Sequence, residues 1–256
     1  MANLTQLKML EDLNGFLLVD KPAGIAFSTV VKTVKRKFNL VKVGHGGSLD
    51  AQASGLFILL IGDANKFVGD VMGADREYTG TLKLGETTDT GDAWGRQIPL
   101  PSRLATLDDL KGDVFQVEPK FCAIRKEGTA EYEVVDTGDH QQFLAHVYRL
   151  SVEKVERVEK VERVEKVESV ERVEKVERVE KVEGVERGEV VRFELKASKG
   201  VIVRALAQDM GATLTSLRRT KIGKFDVADA IPFDRLLETE MKDFAALTLP
   251  LSRALV

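Results

Sequence analysis

Apolar and polar positions along this chain follow several different rhythms. Residues 15–20 form a short apolar run closed by Lys21-Pro22-Ala23-Gly24, a strong turn signal that makes the run a strand. Ser28 suits the cap of a helix reaching about Phe38, with Val30, Val31, Val34 and Phe38 on one side. The run at residues 53–60 is apolar almost throughout, so its pattern fits a buried strand or a buried helix. Residues 76–84 alternate as a strand does, residues 107–111 suggest one helical turn, and residues 201–210 have helical spacing that stops at Gly211. Strands and helices interleave without a regular βαβ order, which predicts an α+β fold.

From Val152 to Arg187 the rhythm changes to a repeated triplet of Val, Glu and a third residue. It contains 12 Val and 12 Glu, with Lys or Arg ten times in third place and Ser169 and Gly184 as exceptions. A period of three suits neither a strand nor a helix. On a strand the valines fall on alternating faces. On an α-helix each step falls about 60° short of a turn, so the stripe winds around the axis. Pairs such as Glu153/Arg157 support a helix weakly, while valine opposes it. The segment reads as a solvated helical excursion or a loop. It divides the chain into one domain, residues 1–151 and 188–256, and an insertion, residues 152–187. The flanks, residues 146–152 and 190–197, read as hairpin partners with the repeat as an enlarged tip.

Composition narrows the class. The 256 residues suffice for one large domain or two small ones, and 43% are hydrophobic, an ordinary share for a globular protein. No apolar run is long enough to span a bilayer, and the first residues do not resemble a signal peptide. A single cysteine, Cys122, rules out an intramolecular disulfide and favours a reducing, cytoplasmic setting. The three histidines have no cysteine cluster beside them, so no structural zinc site is expected. Net charge is −3; the repeat contributes −12 + 10 = −2 and the rest 28 − 29 = −1. Lys32, Lys35, Arg36, Lys37 and Lys42 cluster, as do Arg218, Arg219, Lys221 and Lys224. Each cluster suits a phosphate backbone or a solvated face.

The chemistry concentrates at Val43-Gly-His-Gly-Gly-Ser-Leu-Asp50-Ala-Gln-Ala-Ser-Gly55. Glycines permit positive φ and close approach of a ligand, so Asp50 can be presented on a turn. Aspartate is also a common turn residue for local hydrogen-bonding reasons. Other motifs follow in order: Gly15-Phe-Leu-Leu-Val-Asp-Lys-Pro-Ala-Gly24, Arg76-Glu-Tyr78, Leu84-Gly85 through Gly95, Phe121 through Gly128, Ala130 through Glu133, Ser198-Lys-Gly-Val-Ile-Val-Arg204, and Leu217-Arg-Arg-Thr-Lys-Ile-Gly223.

Their order and spacing resemble the TruB family of tRNA pseudouridine synthases over residues 15–225, apart from the repeat. The resemblance implies a mixed, mainly antiparallel sheet flanked by helices. It implies isomerisation of a T-loop uridine of tRNA, position 55, to pseudouridine, without metal or organic cofactor. It places the essential aspartate on Asp50. Arg204 becomes the cation that keeps that carboxylate charged, and Tyr78 the ring that stacks on the target base. His45 helps hold the everted base, and Lys21 supports the aspartate loop. The target base must leave its stack before its glycosidic bond is reached. A carboxylate can act there as nucleophile or base.

The chain departs from the family pattern in places. Gly46 stands where the family usually has threonine, and Ala51-Gln52 where it has Pro-Leu, which frees the backbone after Asp50. The segment 209–217 is shorter than usual. About 30 residues follow Phe225, fewer than the family's C-terminal RNA-binding domain needs, which predicts weaker tRNA affinity. A non-catalytic RNA-binding or tRNA-folding protein on the same scaffold is the alternative function. A monomer is expected, with association through the repeat as an added possibility.

Overall fold

The structure, a computed structural model, describes residues 13–117, 121–125, 132–136, 142–154 and 188–254. Contacts divide the chain into two compact units. Unit 1 is Met1–Tyr78, Ala123–Glu133 and Arg218–Val256; unit 2 is Thr79–Cys122 and Val134–Leu217.

Unit 1 is built around β1 (Gly15–Lys21), α1 (Phe27–Lys37), β2 (Val43–His45), β3 (Ser54–Ile61) and α2 (Val68–Gly73). The ambiguous apolar run is strand β3. From Leu56 to Ile61 every residue is at most 2% exposed, so both faces are covered. Burial on both faces explains a continuous apolar run in place of alternation. Each such Leu, Ile or Phe contributes ~1.5–3 kcal/mol relative to exposure. Strand β1 pairs antiparallel with β3 along its whole length, from Gly15↔Ile61 to Lys21↔Gly55. Strand β2 pairs antiparallel with β3 through His45↔Leu59.

Helix α1 begins at Phe27, one residue before the expected cap. Ala26 is the N-cap and no side chain caps it, so Ser28 lies inside the first turn. Val30, Val34 and Phe38 are buried, and Phe38 stacks on Phe244 at 3.8 Å between ring centroids. Lys32, Lys35 and Arg36 lie on its exposed side, and Lys42, beyond the helix, is also exposed.

Strand β4 (Arg76–Leu84) follows and crosses from unit 1 into unit 2 after Tyr78. Short strands β5 (Thr87–Thr88) and β6 (Gln97–Ile98) pair as a small hairpin. Residues 107–110 form hydrogen-bonded turns and not the helical turn read from sequence. The Thr106 hydroxyl and the Asp109 carboxylate close that turn on each other, satisfying the backbone without a helix.

Unit 2 contains β7 (Gly112–Val117), β8 (Phe121–Arg125), β9 (Tyr132–Asp136), β10 (Gln142–Lys154), β11 (Val190–Ala197) and α3 (Val203–Asp209), though residues 123–125 of β8 and 132–133 of β9 belong to unit 1. Strands β10 and β11 pair antiparallel out to Lys154↔Val191, the hairpin expected of the flanks. The first triplet of the repeat extends β10; residues 155–187 lie outside the described residues. Buried Gln116 on β7 exchanges two hydrogen bonds with Ile202, at 3.0 and 2.9 Å, and so fixes the start of α3.

Strand β12 (Ala212–Ile222) returns to unit 1 from Arg218, where it pairs parallel with β3 at Arg218↔Ser54 and Arg219↔Gly55. Then come β13 (Phe225–Asp226), β14 (Ile231–Pro232) and α4 (Phe233–Glu238). Strand β14 lies parallel to β1, and Leu249 exchanges backbone hydrogen bonds with Phe16. The architecture is α+β.

Candidate active site

Asp50 stands in the loop between β2 and β3, half-buried. Its carbonyl accepts from the Ala53 N–H at 3.1 Å, which turns the chain into β3. The loop is held at both sides of Asp50. The Ala51 carbonyl accepts from the Gly24 N–H at 2.7 Å and from Lys21 Nζ at 3.3 Å. The Ser48 carbonyl accepts from Arg219 Nη1 at 2.8 Å. These contacts fix the backbone immediately before and after Asp50.

Lys21 is fully buried, and its ammonium also donates to the carbonyls of Pro22 and Ile25, each at 2.8 Å. Three carbonyl oxygens therefore receive all three protons, offsetting a desolvation cost of several kcal/mol. Burial still lowers its pKa to about 8, with the Asp50 charge opposing the shift and the Arg219 charge adding to it. The turn Pro22-Ala23-Gly24 and the aspartate loop are thus joined through one side chain.

Arg219 is 2% exposed on β12. Its Nε donates to the Leu56 carbonyl at 2.9 Å. Burial works against its charge, Arg76 adds to that, and the Tyr78 phenol and Asp50 carboxylate favour it. Gly55, opposite in the register, has φ +104°, and a Cβ there would sit 2.2 Å from the Arg219 carbonyl oxygen. Only glycine lets the two strands approach at this point. Arg218 points elsewhere and forms a bidentate pair with Asp20, at 2.9 and 2.7 Å. Within the second basic cluster Arg219 is thus buried, while Arg218 is ion-paired with Asp20 and remains partly exposed.

Tyr78 is 6% exposed on β4 in unit 1. Arg76, also buried, donates to the Met72 carbonyl at 3.0 Å and to the Ala74 carbonyl, closing the end of α2. His45 lies against Phe27 and Phe57, with ring centroids 5.1 and 5.8 Å away. Its Nδ1 accepts from the Gly47 N–H at 3.3 Å, which places the neutral ring's proton on Nε2. Burial holds the imidazole below its ordinary 6.5, and the Arg219 charge pushes the same way.

Arg204 opens α3 in unit 2, where Nη1 donates to the Thr90 carbonyl at 2.7 Å. Gln208, one turn later, donates to the Thr88 carbonyl at 2.8 Å. Unit 1 gathers Asp50, Lys21, His45 and Tyr78 around Arg219, through direct contacts and mutual electrostatic influence. Sequence reading missed Arg219's part. Its signal was present: Leu217 and Arg219 share the period-two face of β12 that is buried. Among the described residues no three His, Cys, Asp or Glu side chains converge as a metal site.

An α+β scaffold presents one half-buried carboxylate, Asp50, from a loop held on both sides by buried cations. Residues 35–203 match the model of the TruB family pseudouridylate synthase N-terminal domain, and the chain belongs to this family. It is similar to tRNA pseudouridine synthase B of Azoarcus sp. strain BH72, 32% identical over 88% of this chain and 70% of that protein. It is also similar to the protein of that name from Opitutus terrae, 31% identical over 95% of each. Among solved structures, the Cbf5-Nop10-Gar1 complex contains a chain with a TM-score of 0.58 at 19% identity, covering 97% of this chain and 63% of that one. An H/ACA RNP bound to a substrate RNA containing 2′-deoxyuridine gives 0.57 at 19% identity, covering 97% and 62%. These two show the shared fold.

Proposed function

We propose that the chain isomerises a uridine of tRNA to pseudouridine, with Asp50 as the essential group and the T-loop position 55 as its target. The observation that carries this reading is the aspartate loop itself. A half-exposed carboxylate is fixed on either side by side chains that are themselves buried, inside the segment matched by the family model. The names of the similar proteins add the substrate: each is a tRNA pseudouridine synthase B.

The reaction breaks the bond from ribose C1′ to base N1 and makes one from C1′ to C5. The C5 proton leaves, and N1 gains a proton. A carboxylate beside C1′ serves the step as nucleophile or as base, and in either role it must stay ionised. Lys21 and Arg219 supply positive charge within electrostatic reach of Asp50. Arg204, fixed within unit 2 by the Thr90 carbonyl, is assigned the family's cationic role toward this carboxylate. Tyr78 stacks on the everted base, His45 holds the everted conformation, and Lys21 secures the loop. No metal or organic cofactor enters the scheme. The enzyme works as a monomer in the cytoplasm, with the repeat at residues 152–187 as a site of weak self-association.

Incubating purified protein with a tRNA transcript carrying ³H at uridine C5 tests the reading. Release of one tritium per tRNA supports it. Tight tRNA binding without release would leave the non-catalytic RNA-folding function in its place.

A further inference from the structure

We infer that Arg219 is a positioning residue for the reaction: its guanidinium ties the Asp50 loop to the central strand and sets where the carboxylate stands. The inference rests on the proposed role of Asp50 above. It begins with where the side chain spends its donors. Nη1 holds the Ser48 carbonyl at 2.8 Å, two residues before Asp50, and Nε holds the Leu56 carbonyl at 2.9 Å on β3. One rigid planar group therefore spans the loop and the strand that follows it, which a lysine cannot reproduce.

Stability alone does not account for this choice. A buried guanidinium must be stripped of water, and apolar replacement of buried charges is often neutral or stabilising. Here Nη2 is buried and makes no hydrogen bond of normal length among the described residues. The groups that favour its charge are the Tyr78 phenol and the Asp50 carboxylate, both assigned to the reaction. The backbone is fitted to the residue as well, because Gly55 leaves the room that lets β12 carry Arg219 against β3. The arrangement places a fixed, buried positive charge within electrostatic reach of the Asp50 carboxylate.

The test compares Arg219→Lys and Arg219→Met with the core truncation Leu60→Ala. Single-turnover rate per folded molecule, tRNA Kd and Tm are measured for each. Arg219→Lys keeps the charge and loses the fork. Arg219→Met fills the volume without charge and guards against a variant that does not fold. Both are expected to lose about 30-fold or more in single-turnover rate at saturating tRNA, with Kd changed by about twofold or less. Leu60→Ala is expected to lower Tm and leave the rate per folded molecule unchanged. Arg219 variants that lose rate only in proportion to their folded fraction, as Leu60→Ala does, overturn the inference. An inactive wild-type chain overturns the proposed function and this inference together. An active wild type with undiminished Arg219 variants overturns this inference alone.

Discussion

Lys21 Nζ and the Ala51 carbonyl stand 3.3 Å apart across 30 positions of chain, so a buried ammonium on β1 holds the residue that follows Asp50. The same carbonyl receives the Gly24 N–H. The turn after β1 and the aspartate loop are consequently tied together, and what perturbs Lys21 perturbs the site.

Lys21 gives the protein a stability that depends on pH. Its folded pKa of about 8 lies below the ordinary 10.5. Between those values the unfolded chain binds more protons, so stability rises as pH rises through that window. Below about pH 8 the cost of holding the buried charge is fully present. Urea unfolding from pH 7.5 to 10.5 should show a gain of ~2–3 kcal/mol from this group. Lys21→Met should lack that gain and should slow turnover by loosening the loop. A variant with the wild-type slope would contradict the assignment.

Gly46 and Val71 are expected to be coupled. A Cβ at Gly46 would lie 2.3 Å from Val71 Cγ1, so the glycine is fitted to its neighbour. Gly46→Ala should cost ~1–3 kcal/mol by overpacking. Val71→Ala alone should also cost stability, because Val71 is buried. The double variant should be less damaged than the sum by ~0.5–3 kcal/mol. Additive losses in a denaturant double-mutant cycle would rule the contact out.

Tyr78 separates ring from phenol. Tyr78→Phe removes the hydroxyl that favours the Arg219 charge and retains the ring. It should reduce kcat about tenfold with little change in KM. Tyr78→Leu removes the stacking surface too, worth ~1–3 kcal/mol per base. It should reduce kcat/KM well beyond the phenylalanine variant. Equal effects of the two substitutions in steady-state kinetics would count against stacking.

Much of the fold could be read from local patterns, and the failures have local causes. Strand β1 and its turn were marked by an apolar run ending in Lys-Pro-Ala-Gly, and the β10–β11 hairpin by its alternating flanks. The β3 run remained ambiguous because burial on both faces removes the alternation that marks a strand. Ser28 was misplaced as a cap because Ala26 and Phe27 already begin the helix with no side-chain signal. The turn at residues 107–110 carries a Thr-x-x-Asp pair that resembles a helix start, yet its hydrogen bonds close locally. The elements after β12 are too short for periodicity, and only tertiary pairing such as Phe16 with Leu249 defines them.

The site was legible in part. Asp50 stood out because the ordered motifs around its glycine-rich turn resemble one family, although aspartate is common in turns for local reasons. Arg219 did not, because charge clusters in a sequence say nothing about burial. The period-two alternation along β12 separates the two, and its register against β3 turns Arg218 to Asp20 and Arg219 inward.

Asp50→Asn tests the central claim most directly, because it preserves shape and removes the charge. Tritium release from 5-³H-uridine tRNA should fall to background, while filter binding shows tRNA affinity within about threefold of wild type. Release at a rate near wild type from the purified variant would contradict the account.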